Sequence, residues 1–75
     1  MSSDREHGVI TVLANGRPVE LAEGATLAGL LDTLGLARAV AAVERNGEPV
    51  PRGDHATCRL GDGDRIELVR AVAGG

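Results

Sequence analysis

The stretch Val9-Ile10-Thr11-Val12-Leu13-Ala14-Asn15-Gly16-Arg17-Pro18-Val19-Glu20-Leu21 reads as a β-hairpin. Residues 9–14 are rich in β-branched side chains, which suit a pleated, half-buried surface. Asn15-Gly16 is the strongest short turn signal between two such runs. Residues 17–21 return with Val19 and Leu21 on one face, and Pro18 fits an edge strand, where a missing N–H costs little.

A helix follows. Glu23-Gly24-Ala25-Thr26 breaks the strand, and Thr26 is a candidate N-cap. Leu27, Leu30, Leu31 and Leu34 recur at i, i+3, i+4 and i+7, an apolar stripe that belongs in a core. Gly35 stands where a left-handed C′ residue would end the helix. Asp32, the one charge in the segment, is expected to face water. Gly29 weakens the helix by roughly 1 kcal/mol relative to Ala, or permits close packing on a sheet.

Residues 40–45 predict a third strand with Ala41 and Val43 inward, and Asn46-Gly47 a second tight turn. Pro49-Val50-Pro51 is extended. Residues 52–60 are irregular with about one helical turn. Gly61-Asp62-Gly63-Asp64 is a turn whose carboxylates are expected to be solvated, and 65–72 is the last strand, with Ile66 and Leu68 inward. Hairpin, helix, strand, irregular crossing, strand is the order of an α+β β-grasp (ubiquitin-like) fold: a mixed four- to five-stranded sheet with one main helix on one face. In that topology the last strand lies beside the first. The expected organisation is a flexible polar lead over 1–8, a folded domain over 9–72 and a flexible tail over 73–75 ending in Gly-Gly.

Composition narrows the function. A chain of 75 residues is one small domain with little room for a deep catalytic pocket. Aromatic residues make up 0% of it, so the stacking platforms of single-strand nucleic-acid binders are missing. The net charge of −3, with arginines scattered along the chain, also argues against nucleic acid. Cys58 is a single cysteine, which excludes an internal disulfide and reads as a small buried or half-buried residue. His55 and Cys58 are too few for a zinc site, and no metal site is expected. No apolar run is long enough for a membrane span or a signal peptide, so the expected location is cytoplasmic.

The feature left over is the end, Ala71-Val72-Ala73-Gly74-Gly75. Five extended residues reach at most about 17 Å, enough to enter another protein's active site. Glycine lacks a Cβ, so Gly74 and Gly75 pass a narrow channel and leave the terminal carbonyl open to attack. A carboxylate must be activated before acyl transfer, most simply as an adenylate. No G-x-x-x-x-G-K-[ST] phosphate loop is present. Activation with ATP would therefore fall to a partner, making this chain a carrier and co-substrate rather than an enzyme, with no stably bound cofactor. Candidate site residues are Gly75 as the reactive end and Val72, Ala73 and Gly74 as the tail presented to partners. Leu13 and Val69 point away from the core by alternation and are candidates for an apolar docking patch.

Several segments together resemble the ThiS family of sulfur carriers of thiamine biosynthesis, over residues 9–75. They are the Asn15-Gly16 hairpin, Gly24-Ala25-Thr26-Leu27 with Leu30-Leu31, Asn46-Gly47-Glu48 with Val50-Pro51-Arg52, Gly63-Asp64-Arg65-Ile66-Glu67, and the closing Val69-Arg70-Ala71-Val72-Ala73-Gly74-Gly75. The resemblance implies a β-grasp fold and a route in which an E1-like enzyme adenylates Gly75. A sulfur donor such as a cysteine desulfurase then supplies the sulfur of a thiocarboxylate, which thiazole synthase consumes. Many family members carry a Trp soon after Val-Pro-Arg, where this chain has His55. Molybdopterin-synthase small subunits share the diglycine but usually carry Pro-Pro where Arg70-Ala71 stand here. That pathway or another sulfur-requiring one, a ubiquitin-like modifier role, and a plain β-grasp interaction module whose tail does no chemistry are the alternatives.

Overall fold

The computed structural model describes residues 8–70. Strand β1 (Val9–Ala14) and strand β2 (Arg17–Ala22) form the expected hairpin, paired from Val9 with Ala22 to Ala14 with Arg17. Helix α1 (Leu27–Thr33) follows, then β3 (Val40–Arg45), β4 (Glu48–Pro49), a 3₁₀ turn (Arg52–Asp54) and β5 (Arg65–Arg70). The sheet order is β2-β1-β5-β3-β4, with β5 parallel to β1 and antiparallel to β3. This is the β-grasp arrangement, and it puts β5 in the middle of the sheet. Pro18 falls on β2, an edge strand, as expected.

Both helix ends are built as the sequence requires. The Thr26 hydroxyl accepts the Gly29 amide at 3.1 Å. At the other end the Leu36 amide donates to the Leu31 carbonyl at 2.9 Å, and the Gly35 amide to Asp32 at 3.0 Å. Those are the paired bonds of a Schellman end, and Gly35 supplies its left-handed residue with φ +71°. Leu27, Leu30 and Leu31 are buried, while Leu34 is half-buried at the cap. Asp32 is exposed. A Cβ at Gly29 would meet only the Thr26 hydroxyl, at 3.5 Å, so close approach to the sheet does not explain this glycine.

The core joins the helix leucines to Ile10, Val12, Leu21, Val43, Ile66 and Leu68. Burial of such side chains contributes about 1.5–3 kcal/mol each, and it must do so here without aromatics. One strand departs from its expected alternation. Val40 and Val43 are buried and Ala41 is exposed. The pairing of β3 with β5 shifts register between Val40 and Ala42. The irregularity lets two valines three residues apart share the inner face, because burying valine removes more apolar surface than burying alanine.

Candidate functional site

The structure concentrates its polar bonding around β5, the strand that leads to the tail. On the β1 side, the Thr11 amide donates to the Asp62 carboxylate at 2.8 Å, and the Gly63 amide to the Thr11 carbonyl at 2.8 Å. Leu13 then donates to Asp64 at 2.9 Å, and Asn15 to Ile66 at 2.8 Å, backbone to backbone. Beyond the end of β1 the Asn15 side chain takes over. Its oxygen accepts the Leu68 amide at 2.7 Å and its nitrogen donates to the Leu68 carbonyl at 3.1 Å. Asn15 holds φ at 51°, a conformation Asn tolerates better than most residues.

The second Asn-Gly turn grips the other edge of β5. The Asn46 amide donates to the Arg65 carbonyl at 2.8 Å, and its side-chain oxygen accepts the Arg65 amide at 2.9 Å. The Asn46 side-chain nitrogen reaches Asp64 at 3.1 Å, and Arg45 Nε pairs with Asp64 at 3.0 Å. The Asp64 carboxylate also accepts the Gly61 amide at 2.7 Å. The expectation of solvated carboxylates in this turn holds for Asp62, which is exposed, and is corrected for Asp64, whose side chain is only 12% exposed. Burial pushes its carboxyl up. The Gly61, Asn46 and Arg45 donors together outweigh that, and the group sits below its ordinary value of 3.8.

Of the anticipated site residues, Gly75, Gly74, Ala73 and Val72 lie outside the described residues, and the final described residue is Arg70. The last strand was expected to run to residue 72, two positions into that region. Leu13 and Val69 lie on the outer face of the sheet, 36% and 54% exposed. The structure does not bring them side by side. Leu13 is level with Arg65, and Val69 pairs across β3 with Ala42. Four strand residues, about 13 Å at ~3.3 Å each, separate their levels. Cys58 is half-buried against the core, with its Sγ 3.9 Å from Arg45 Nη1. His55 Nε2–H donates to the Val50 carbonyl at 3.2 Å.

Sequence reasoning missed the groove at the end of the sheet from which the chain leaves. It has a volume of about 430 Å³ and lies between the helix C-terminus and the β1–β2 turn. Val19, Leu34, Leu36 and Leu68 line it, with Arg17 and Arg70 among its walls. No local motif announces such a groove, because its walls come from separate elements.

The comparisons with known proteins agree with this architecture. A crystal structure of the thiamine biosynthesis protein ThiS from Geobacter metallireducens superposes with a TM-score of 0.72 at 32% identity, covering 88% of this chain and 100% of that one. The sulfur carrier protein ThiS of Escherichia coli is 38% identical over 64 residues, 85% of this chain and 97% of that protein. A thiazole synthase of Magnetococcus marinus is 44% identical over 61 residues, 81% of this chain but 19% of its own length. A thiazole synthase of Paramagnetospirillum magneticum is 36% identical over 64 residues and is likewise spanned over 20% of its length. The ThiS family profile matches residues 10–75, most of the sequence, and the chain belongs to the ThiS family.

Proposed function

We propose that this chain is a sulfur carrier whose Gly75 carboxylate becomes a thiocarboxylate for thiazole formation in thiamine biosynthesis. The observation that carries the reading is the central β5, held on both edges by the two Asn-Gly turns and directed into the tail Ala71-Val72-Ala73-Gly74-Gly75. A strand fixed in this way gives the tail a rigid base. The tail's reach of about 17 Å suits a reacting group that must enter a partner's active site.

The chemistry follows from the carboxylate. An oxygen of Gly75 attacks the α-phosphorus of ATP held by an E1-like enzyme, and pyrophosphate leaves. The terminal sulfur of a persulfide on the donor, such as a cysteine desulfurase product, attacks the acyl carbon and AMP leaves. A second thiol cleaves the resulting S–S bond, becoming oxidised to a disulfide and releasing the thiocarboxylate. Thiazole synthase then takes the sulfur. The two relatives named thiazole synthase support that destination over molybdopterin or protein modification. Leu13 and Val69 offer apolar contacts on the outer face to the same partners. Charging both should weaken partner binding without unfolding the chain; unchanged affinity removes them from the interface.

The test is pyrophosphate release from ATP by the E1-like enzyme in the presence of this chain. Full-length chain should support it, and a chain lacking Gly75 should not. Equal release with the shortened chain contradicts the reading.

A further inference from the structure

We propose that the arginines around the exit end of the sheet form a cationic collar. It docks on an acidic protein rim at the mouth of the adenylating enzyme's active-site channel. The inference rests on the sulfur-carrier reading. Arg17 and Arg70 line the apolar groove beside the point where the described chain ends. Arg70 pairs with Val40 across the sheet. Arg52 Nη2 donates to the Val40 carbonyl at 3.2 Å, and Arg38 lies two residues before Val40 in the exposed approach to β3.

The collar stands out against the charge of the chain. The whole sequence carries −3, yet these arginines gather where the tail begins. Arg17, Arg38, Arg52 and Arg70 are all exposed. Among the described residues the ion pair present joins Arg45 to Asp64, away from this end. The collar arginines are therefore available to an outside anion. The groove between Arg17 and Arg70 adds an apolar floor of Val19, Leu34, Leu36 and Leu68. Such a surface fits a partner segment that carries an apolar side chain flanked by carboxylates.

Distance selects a protein rim over the nucleotide. The tail spans at most about 17 Å when extended. The activated carboxyl and its phosphate therefore sit that far from the body when the tail is inserted. The collar stays outside and meets the wall around the opening. Charges placed there steer encounter and fix orientation, and their effect declines with salt.

The test measures affinity of full-length chain for the E1-like enzyme across a sodium chloride series, together with pyrophosphate release. The double variant R17E/R70E should bind at least ~tenfold more weakly at low salt and lose most of the salt dependence. R59E, a charge reversal outside the collar, should bind like wild type. Folding of each variant is checked by amide spectra. Folded R17E/R70E that binds with wild-type affinity overturns the collar while leaving the carrier reading intact. A wild-type chain that the enzyme neither binds nor activates overturns both. Loss of binding to a single-stranded oligonucleotide, with enzyme binding retained, would assign the collar to nucleic acid and overturn the inference.

Discussion

The carboxamide of Asn15 makes both of its hydrogen bonds to the backbone of Leu68, 53 residues away in sequence. It continues the parallel β1–β5 ladder past the point where β1 turns away. Asp62 does the corresponding work at the other end by accepting the Thr11 amide. The parallel pairing is short, with Leu13–Arg65 and Ala14–Ile66 as its strand partners. Side chains at both ends lengthen it where backbone alone would stop.

The Asn15 clamp predicts a separable effect. N15G keeps the left-handed conformation and loses both bonds to Leu68, which should cost about 1–2 kcal/mol in urea unfolding. N15A loses the bonds and also strains the turn, adding roughly 1 kcal/mol. Hydrogen exchange at the Leu68 amide should accelerate in both. Retained protection at Leu68 would mean the clamp does not hold β5.

Asp64 predicts an acid limb in stability. Its folded-state carboxyl lies below the ordinary value of 3.8, so the unfolded chain binds its proton more readily. Stability from this group is present above 3.8 and is lost as pH falls through the folded-state value. D64N should flatten that limb and lower stability at neutral pH, because the Arg45 pair is lost. An unchanged acid limb in D64N would place the pH dependence elsewhere.

Helix α1 offers a gain as well as a loss. A Cβ at Gly29 meets the Thr26 oxygen at an ordinary 3.5 Å. G29A should therefore stabilise by up to about 1 kcal/mol through helix propensity. T26A should destabilise by about 1 kcal/mol by removing the cap. Thermal or urea midpoints check both, and a destabilised G29A would reveal crowding absent from the structure.

The hairpin, the leucine stripe, both helix ends and the order of elements were legible in the sequence because each rests on local chemistry. Alternation, capping and left-handed glycines leave marks within a few residues. Ala41 was placed inward because strict alternation ignores the register shift that brings Val40 and Val43 to the same face. The roles of Asn15, Asn46 and Asp64 were not legible, since a turn residue looks the same whether or not its side chain reaches a distant strand. The repeated choice of Asn at both turns was the available clue. The turn backbone by itself accounts for Asn there, since Asn15 and Asn46 both hold a left-handed φ, 51° and 52°, so that clue does not separate a turn role from a clamp. The exit-end groove likewise depends on tertiary placement of Val19, Leu36 and Leu68.

The most direct test of the central claim is the mass of the intact chain after incubation with ATP, the E1-like enzyme and a persulfide sulfur donor. The chain should gain the difference between one sulfur and one oxygen, and fragmentation should locate it on Gly75. An unchanged mass, sulfur held on Cys58 instead, or attachment of the chain to lysines of other proteins would contradict the account.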